Sequence, residues 1–186
     1  MNKKQCKKAR GKFKKAYKIL LGRNKYSQAL RNYVYKKYKD GKYYSDCSSS
    51  YCEAMKKAGV DIGLTNTVGL FHHKKAKKID ANVKNGIPDY RKLKVGDAIL
   101  FAGTDKSRAS SNYVGHVEAV YKIDKETGEV TLCGHGSGTP SLKNMKTYCK
   151  YRKKIGVGEY KGVVGVRRFI FAEKAEKSGK ANEVSA

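Results

Sequence analysis

Acidic side chains are scarce in this chain: 16 Asp and Glu stand against 42 Lys and Arg, a formal charge of +26 over 186 residues. The basic residues run from Lys3 to Lys180 without forming one block, so the excess belongs to the whole surface. A charge of this size repels itself and favours an anionic partner, whether nucleic acid, an anionic membrane surface or a cell wall carrying phosphate polymers. A lysine-rich solvated surface accounts for the composition about as well, and composition alone names no substrate. Long apolar runs are also missing. Nowhere are there about 18 consecutive apolar residues to span a membrane, and the basic start MNKKQCKKAR is not followed by the apolar stretch of a secretory signal. The expectation is a protein made in the cytoplasm, with reduced thiols at Cys6, Cys47, Cys52, Cys133 and Cys149.

Several motifs are absent as well. There is no internal repeat and no paired C-x-x-C spacing; Cys133 with His135, or His72 with His73, could touch a metal but forms no recognisable ligand set, and no cofactor is expected. The Gly134 to Gly138 segment lacks the lysine of a phosphate-binding loop, and its serine is not in a G-x-S-x-G elbow.

What is present suffices for one core. With 39% hydrophobic residues, the chain reads as a basic helical segment over 1–24, one domain over 25–171 and a polar, disordered tail over 172–186. Phe13, Ala16, Tyr17 and Leu20 recur at helical spacing before Gly22. Tyr26, Leu30, Tyr33, Val34 and Tyr38 predict a second amphipathic helix, ended by Asp40-Gly41. A third should run from about residue 48 to Ala58, with Cys47, Tyr51, Ala54, Met55 and Ala58 on one face, Cys52 off it, and Gly59 beyond the end. Ser50 and Glu53 have capping-box spacing, which starts that helix after the cysteine; Ser45 or Asp46 as N-cap puts Cys47 in the first turn, the arrangement we expect. Residues 61–96 read as an irregular connection with one short helix. Strand signals follow at 98–102, 117–123, 129–133 and 163–171, the middle two joined as a hairpin. Helices first and sheet second predict an α+β fold with an antiparallel sheet.

Three segments can carry chemistry. Cys47, in Tyr44-Ser-Asp-Cys-Ser, would feel the positive end of a helix, whose unpaired N–H groups favour thiolate and can hold an oxyanion. A buried structural cysteine is the commoner fate of such a residue. His116 opens a strand beside Gly115, which leaves room for a substrate or another backbone. His135 lies at the far end of the hairpin partner. If Ile123 pairs Gly128, then His116 falls opposite His135, which could fix its tautomer; a one-residue slip sends the two rings to opposite faces.

Asp46-Cys47-Ser48, then Leu93-Lys-Val-Gly96-Asp97 before an apolar strand ending in Phe101, then Gly115-His116-Val117, then His135, in that order, resemble the NlpC-type peptidases over about residues 25–170. The resemblance implies a papain-like fold with N-terminal helices on an antiparallel sheet. It implies Cys47 as nucleophile, His116 as base and His135 as its orienting group, with Tyr44, Asp46 and Ser48 as substrate contacts. It implies hydrolysis of amide bonds in bacterial peptidoglycan peptides, by a phage lysin or virion-associated enzyme that needs no signal peptide to reach the wall. Ser48-Ser49 replaces the family's usual Ser-Gly, Glu118-Ala119 its glycine-aliphatic pair, and the 103–114 loop is long and polar, departures that bear on specificity. Two other classes fit the charge: a catalytically silent papain-like module binding anionic polymer, and a nucleic-acid-binding protein.

Overall fold

A computed structural model describes residues 1–172 apart from 112 and 160; the tail expected over 172–186 lies, from residue 173 on, outside the described residues. The N-terminal helix α1, Lys3–Leu20, is longer than its apolar repeat suggests, because Asn2 and Gln5 form a capping box that starts it at the chain's beginning. Helix α2, Cys47–Lys57, is capped by Asp46, whose carboxylate accepts the Ser49 N–H, and ends before Gly59 at φ +85°. Cys47 is thus the first residue of α2.

The expected helix over 26–39 does not form. Two-residue strands β1, Lys25–Tyr26, and β2, Tyr44–Ser45, pair in parallel around it. Side chains claim the backbone groups that a helix would have used: Asn24 Nδ2 donates to Val34 O at 2.9 Å and Arg23 Nη2 to the same oxygen at 2.7 Å. Only Val34 of the predicted apolar face is buried. Tyr33, Tyr38 and Tyr44 stack edge to face on one another instead, with centroids 4.9 and 6.1 Å apart.

Residues 61–96 contain a short helix α3, Thr67–Phe71, and a strand β3, Lys77–Ile79. Strands β4, Ala98–Ala102, β5, Val114–Ile123, β6, Val130–Gly134, β7, Ser141–Asn144, and β8, Val163–Arg168, complete a six-stranded antiparallel sheet in the order β3-β8-β4-β5-β6-β7. Helix α4, Met145–Ile155, follows β7. Both faces of the sheet are covered. Phe13, Tyr17, Tyr51 and Met55 of α1 and α2 pack on Leu100, Val117 and Cys133, whereas Met145 and Cys149 of α4 pack on Phe101, Val120 and Leu132. That explains why every residue of β4 is buried. Cys52 is buried too, at 2% exposure, against the amphipathic reading that left it off the packed face. Its sulfur meets the Thr65 carbonyl of the segment after α2.

Asp97, on the turn into β4, is held by Arg168 of β8 through two hydrogen bonds of 2.7 and 2.6 Å. Gly96 beside it adopts φ +88°, and its carbonyl accepts the Tyr51 hydroxyl at 2.8 Å, tying the centre of α2 to the start of the sheet.

Candidate active site

Helix α2 aims its first turn at the end of β5. Residues at alternate positions of β5 share a face, so His116, Glu118 and Val120 point together toward α4. A register shift beside His116, where Ala102 pairs Val114 and leaves Gly115 out, bends the strand end. A Cβ at Gly115 would collide with the backbone of Gly103, so the room that glycine leaves is taken by a neighbouring strand end.

The His116 ring joins the two helices. Its Nε2 lies 2.8 Å from Glu118 Oε1 and 3.0 Å from the Tyr148 hydroxyl of α4. That leaves Nδ1 for the Cys47 sulfur, which interacts with the ring from α2. Burial pulls the imidazole down, but Cys47 and Glu118 outweigh it and raise the ring from 6.5 to about 9. The imidazolium is therefore the resident form at neutral pH.

Glu118 is itself buried, at 1% exposure, and is held ionised: burial works against the charge, and His116 and then Lys143 of β7 prevail and lower its pKa. Lys143 Nζ sits 2.9 and 3.1 Å from the two carboxylate oxygens. Gly134, which pairs Glu118 across β5 and β6, makes the niche, since a Cβ there would strike the carboxylate. The groups that meet Nε2 of His116 are thus Glu118 and Tyr148, not His135.

His135 does not reach His116, contrary to the expectation from hairpin parity. Ile123 pairs Val130 rather than Gly128, and a bulge at Tyr121 moves the register once more, so that Glu118 faces Gly134. This one-residue offset puts His135 in line with Val117, on the other face. There His135 Nδ1 accepts from Ser45 Oγ at 2.9 Å, and Nε2 donates to Gly138 O at 3.1 Å. The Ser45 hydroxyl has a single proton to give, because it already receives Ser50 Oγ and Asn24 Nδ2. The ring is held as the neutral tautomer, and burial lowers its pKa. Its role is to fasten β2 to the loop after β6.

The expected substrate contacts divide. A cleft of about 440 Å³ opens over Cys47 and is lined by Tyr26, Arg31, Asp46, Ser48, Thr67 and Tyr113, among others. Tyr44 is not in it; its hydroxyl donates to Asp40 at 2.6 Å on the far side of β2. Asp46 and Ser48 line the cleft with their polar atoms engaged. Asp46 caps α2, accepts from Ser48 Oγ at 3.0 Å and lies 3.2 Å from Arg31 Nε, and Arg31 Nη2 donates to Ser48 Oγ at 2.9 Å. Tyr26, which the sequence reading placed on a helix, supplies the aromatic at the cleft and stacks edge-on against His135 at 5.3 Å. Glu118 and Tyr148 were missed. The carboxylate two residues after a strand histidine was the available signal for the first, and Met145, Tyr148, Cys149 and Arg152 at helical spacing for the second.

No family model matches the sequence, and no curated protein does. Solved structures do match. The NlpC2 protein of Trichomonas vaginalis superposes with a TM-score of 0.56 at 17% identity, over 87% of this chain and 47% of its own. The NlpC1 protein of the same organism gives 0.54 at 18%, over 86% and 44%. A lipoprotein-like NLP/P60 family protein of Staphylococcus aureus gives 0.52 at 14%, over 92% and 43%. The fold is that of the NlpC/P60 proteins. Within this NlpC/P60 α+β fold the chain spans less than half the length of each neighbour. Among the described residues no His, Cys, Asp and Glu cluster could hold a metal ion, and no helix is long and apolar enough to cross a membrane.

Proposed function

We propose that the chain is a cysteine peptidase or amidase that hydrolyses amide bonds of bacterial peptidoglycan peptides. The observation that carries this reading is the Cys47–His116–Glu118 constellation: a thiol in the first turn of a helix, against an imidazole raised to about 9, whose other nitrogen is held by a buried carboxylate. The likeness of the fold to NlpC/P60 proteins supports the choice of substrate class.

The chemistry runs in two halves. The Cys47 sulfur attacks the amide carbonyl carbon, and the oxyanion that forms is met by the Cys47 N–H, which stands at the helix start where no intrahelical carbonyl reaches it. His116 passes its Nδ1 proton to the leaving amine, the C–N bond breaks and a thioester remains. Neutral His116 then takes a proton from water as the water oxygen attacks the thioester, and the C–S bond breaks with its electron pair going to sulfur, which releases the carboxylic acid and leaves His116 protonated as at the start. Glu118 keeps the ring in one orientation through both halves and stabilises its charged form. The charge of +26 favours binding to a wall rich in anionic polymer.

Digestion of purified peptidoglycan, with mass spectrometry of the fragments, tests the proposal. The native protein should generate new amino and carboxyl termini and Cys47→Ala should generate none. Intact peptidoglycan after treatment with the native protein contradicts it.

A further inference from the structure

Lys143 takes part in no step of that hydrolysis, yet its ammonium is bonded to the carboxylate that holds the His116 ring. From β7 it bonds both oxygens of Glu118 and lies 3.4 Å from the Gly134 carbonyl and 5.1 Å from the centre of the Tyr148 ring. Its side chain is 20% exposed and that of Glu118 wholly buried, so the carboxylate has no solvent to fall back on. We infer that Lys143 is a positioning residue that sets the upper pH limit of the Cys47–His116 pair, by keeping Glu118 compensated when the imidazole is neutral. This rests on the reading of Cys47 and His116 as the reactive pair.

While His116 is protonated, Glu118 sits between two cations. Once His116 loses its proton, only Lys143 balances the carboxylate. Without Lys143 that deprotonation would strand a buried negative charge, which is costly, so the imidazole would hold its proton to higher pH. The surrounding groups do not replace it. Cys47 from α2 and Tyr148 from α4 touch the ring and bring no positive charge. Around Glu118, Tyr17 of α1 and Cys133 of β6 are pushed well up by burial, and Cys149 of α4 to about 12, so all three stay neutral. His135 is pulled down and is neutral as well. Arg152 of α4 spends a guanidinium N–H on the Ala102 carbonyl at 2.6 Å. Among the described residues, Lys143 is the basic side chain besides His116 that is bonded to Glu118.

The direct test is the titration of the His116 ring by NMR in the full chain, with its carbon-bound proton signals assigned by His→Gln substitution. The native midpoint should lie near 9. Lys143→Met should raise it by roughly one pH unit, the effect of removing a charge from a close buried pair. Lys143→Arg should restore it, and Glu118→Gln should lower it. The alkaline limb of peptidoglycan hydrolysis should move with these midpoints, which loss of packing alone would not produce. Thermal melts check folding; should the Met variant not fold, Lys143→Gln, which keeps a donor without the charge, is read in its place. A midpoint unmoved or lowered in the charge-deleted variant overturns the role of Lys143. A native His116 that titrates near 6.5 instead overturns the reactive pair itself, so the two failures are told apart.

Discussion

His116 and His135 are both buried and lie at the same end of neighbouring strands, yet their surroundings drive them in opposite directions. His116 faces a sulfur and a carboxylate and is raised to about 9; His135 faces a hydroxyl and a carbonyl and is lowered. Burial opposes the charged ring in both. What separates them is whether the partners gain from a positive charge, and one residue of strand register decides which partners each ring meets.

The largest contrast should come from truncating each ring. His116→Ala should lower hydrolysis by about 10³-fold or more, as expected of a base that acts as one unit with its nucleophile, and adding Cys47→Ala should cost little further. His135→Ala should cost less than about tenfold in rate and instead about 1–3 kcal/mol of stability, because Ser45 and the Gly138 carbonyl lose buried partners. Steady-state kinetics and denaturant melts of the two variants measure this. Equal rate losses would erase the distinction.

Glu118→Gln should come next, with a loss of roughly 10- to 10³-fold and an alkaline limit moved to lower pH, since the amide still orients the ring but no longer stabilises its charge. A pH–rate profile that is merely scaled down, with no displaced limb, would reduce Glu118 to packing.

The two rings should also write opposite signs into stability. A folded-state pKa above 6.5 stabilises the fold fully below 6.5 and loses that contribution as pH rises through about 9, which is the His116 case. A folded-state pKa below 6.5 leaves stability intact above 6.5 and erodes it as pH falls, which is the His135 case. Melting temperatures followed with pH should therefore lose their alkaline fall in His116→Gln and their acid fall in His135→Gln. The same slope in both variants would contradict the assignment. The smallest effect should come from Tyr44→Phe, whose lost hydroxyl donates to exposed Asp40: hydrolysis should change by less than about twofold.

Much of this is legible in the amino-acid sequence. The placement of Cys47 in the first turn of α2, its packed face through Tyr51 and Met55, and the antiparallel strands expected at 98–102, 117–123 and 129–133, which form over 98–102, 114–123 and 130–134, follow from periodicity, capping and turn residues, which are local signals. The misreadings have a common physical source. Tyr26, Tyr33, Val34 and Tyr38 do recur at helical spacing, but Asn24 and Arg23 compete for the Val34 carbonyl, and nothing in the spacing records that competition. The assignment of His135 depended on counting residues across a hairpin, and the bulge at Tyr121 changes the count without leaving a mark such as glycine or proline at that position. Glu118 was visible only as a departure from a family pattern. Its meaning emerges when Gly134 and Lys143, 16 and 25 residues away, are seen to form its niche.

The measurement that bears most directly on the central claim is site-resolved labelling of the native chain with iodoacetamide at neutral pH, read by peptide mass spectrometry and repeated in His116→Ala. All five thiols are buried and unpaired, and burial pushes Cys52 to about 11, Cys149 to about 12 and Cys133 well above the ordinary thiol value. If Cys47 and His116 form the reactive pair, Cys47 should be labelled first, and its rate should fall at least about tenfold when the imidazolium is removed. Labelling spread evenly over the cysteines, or a Cys47 rate indifferent to His116, would contradict the account.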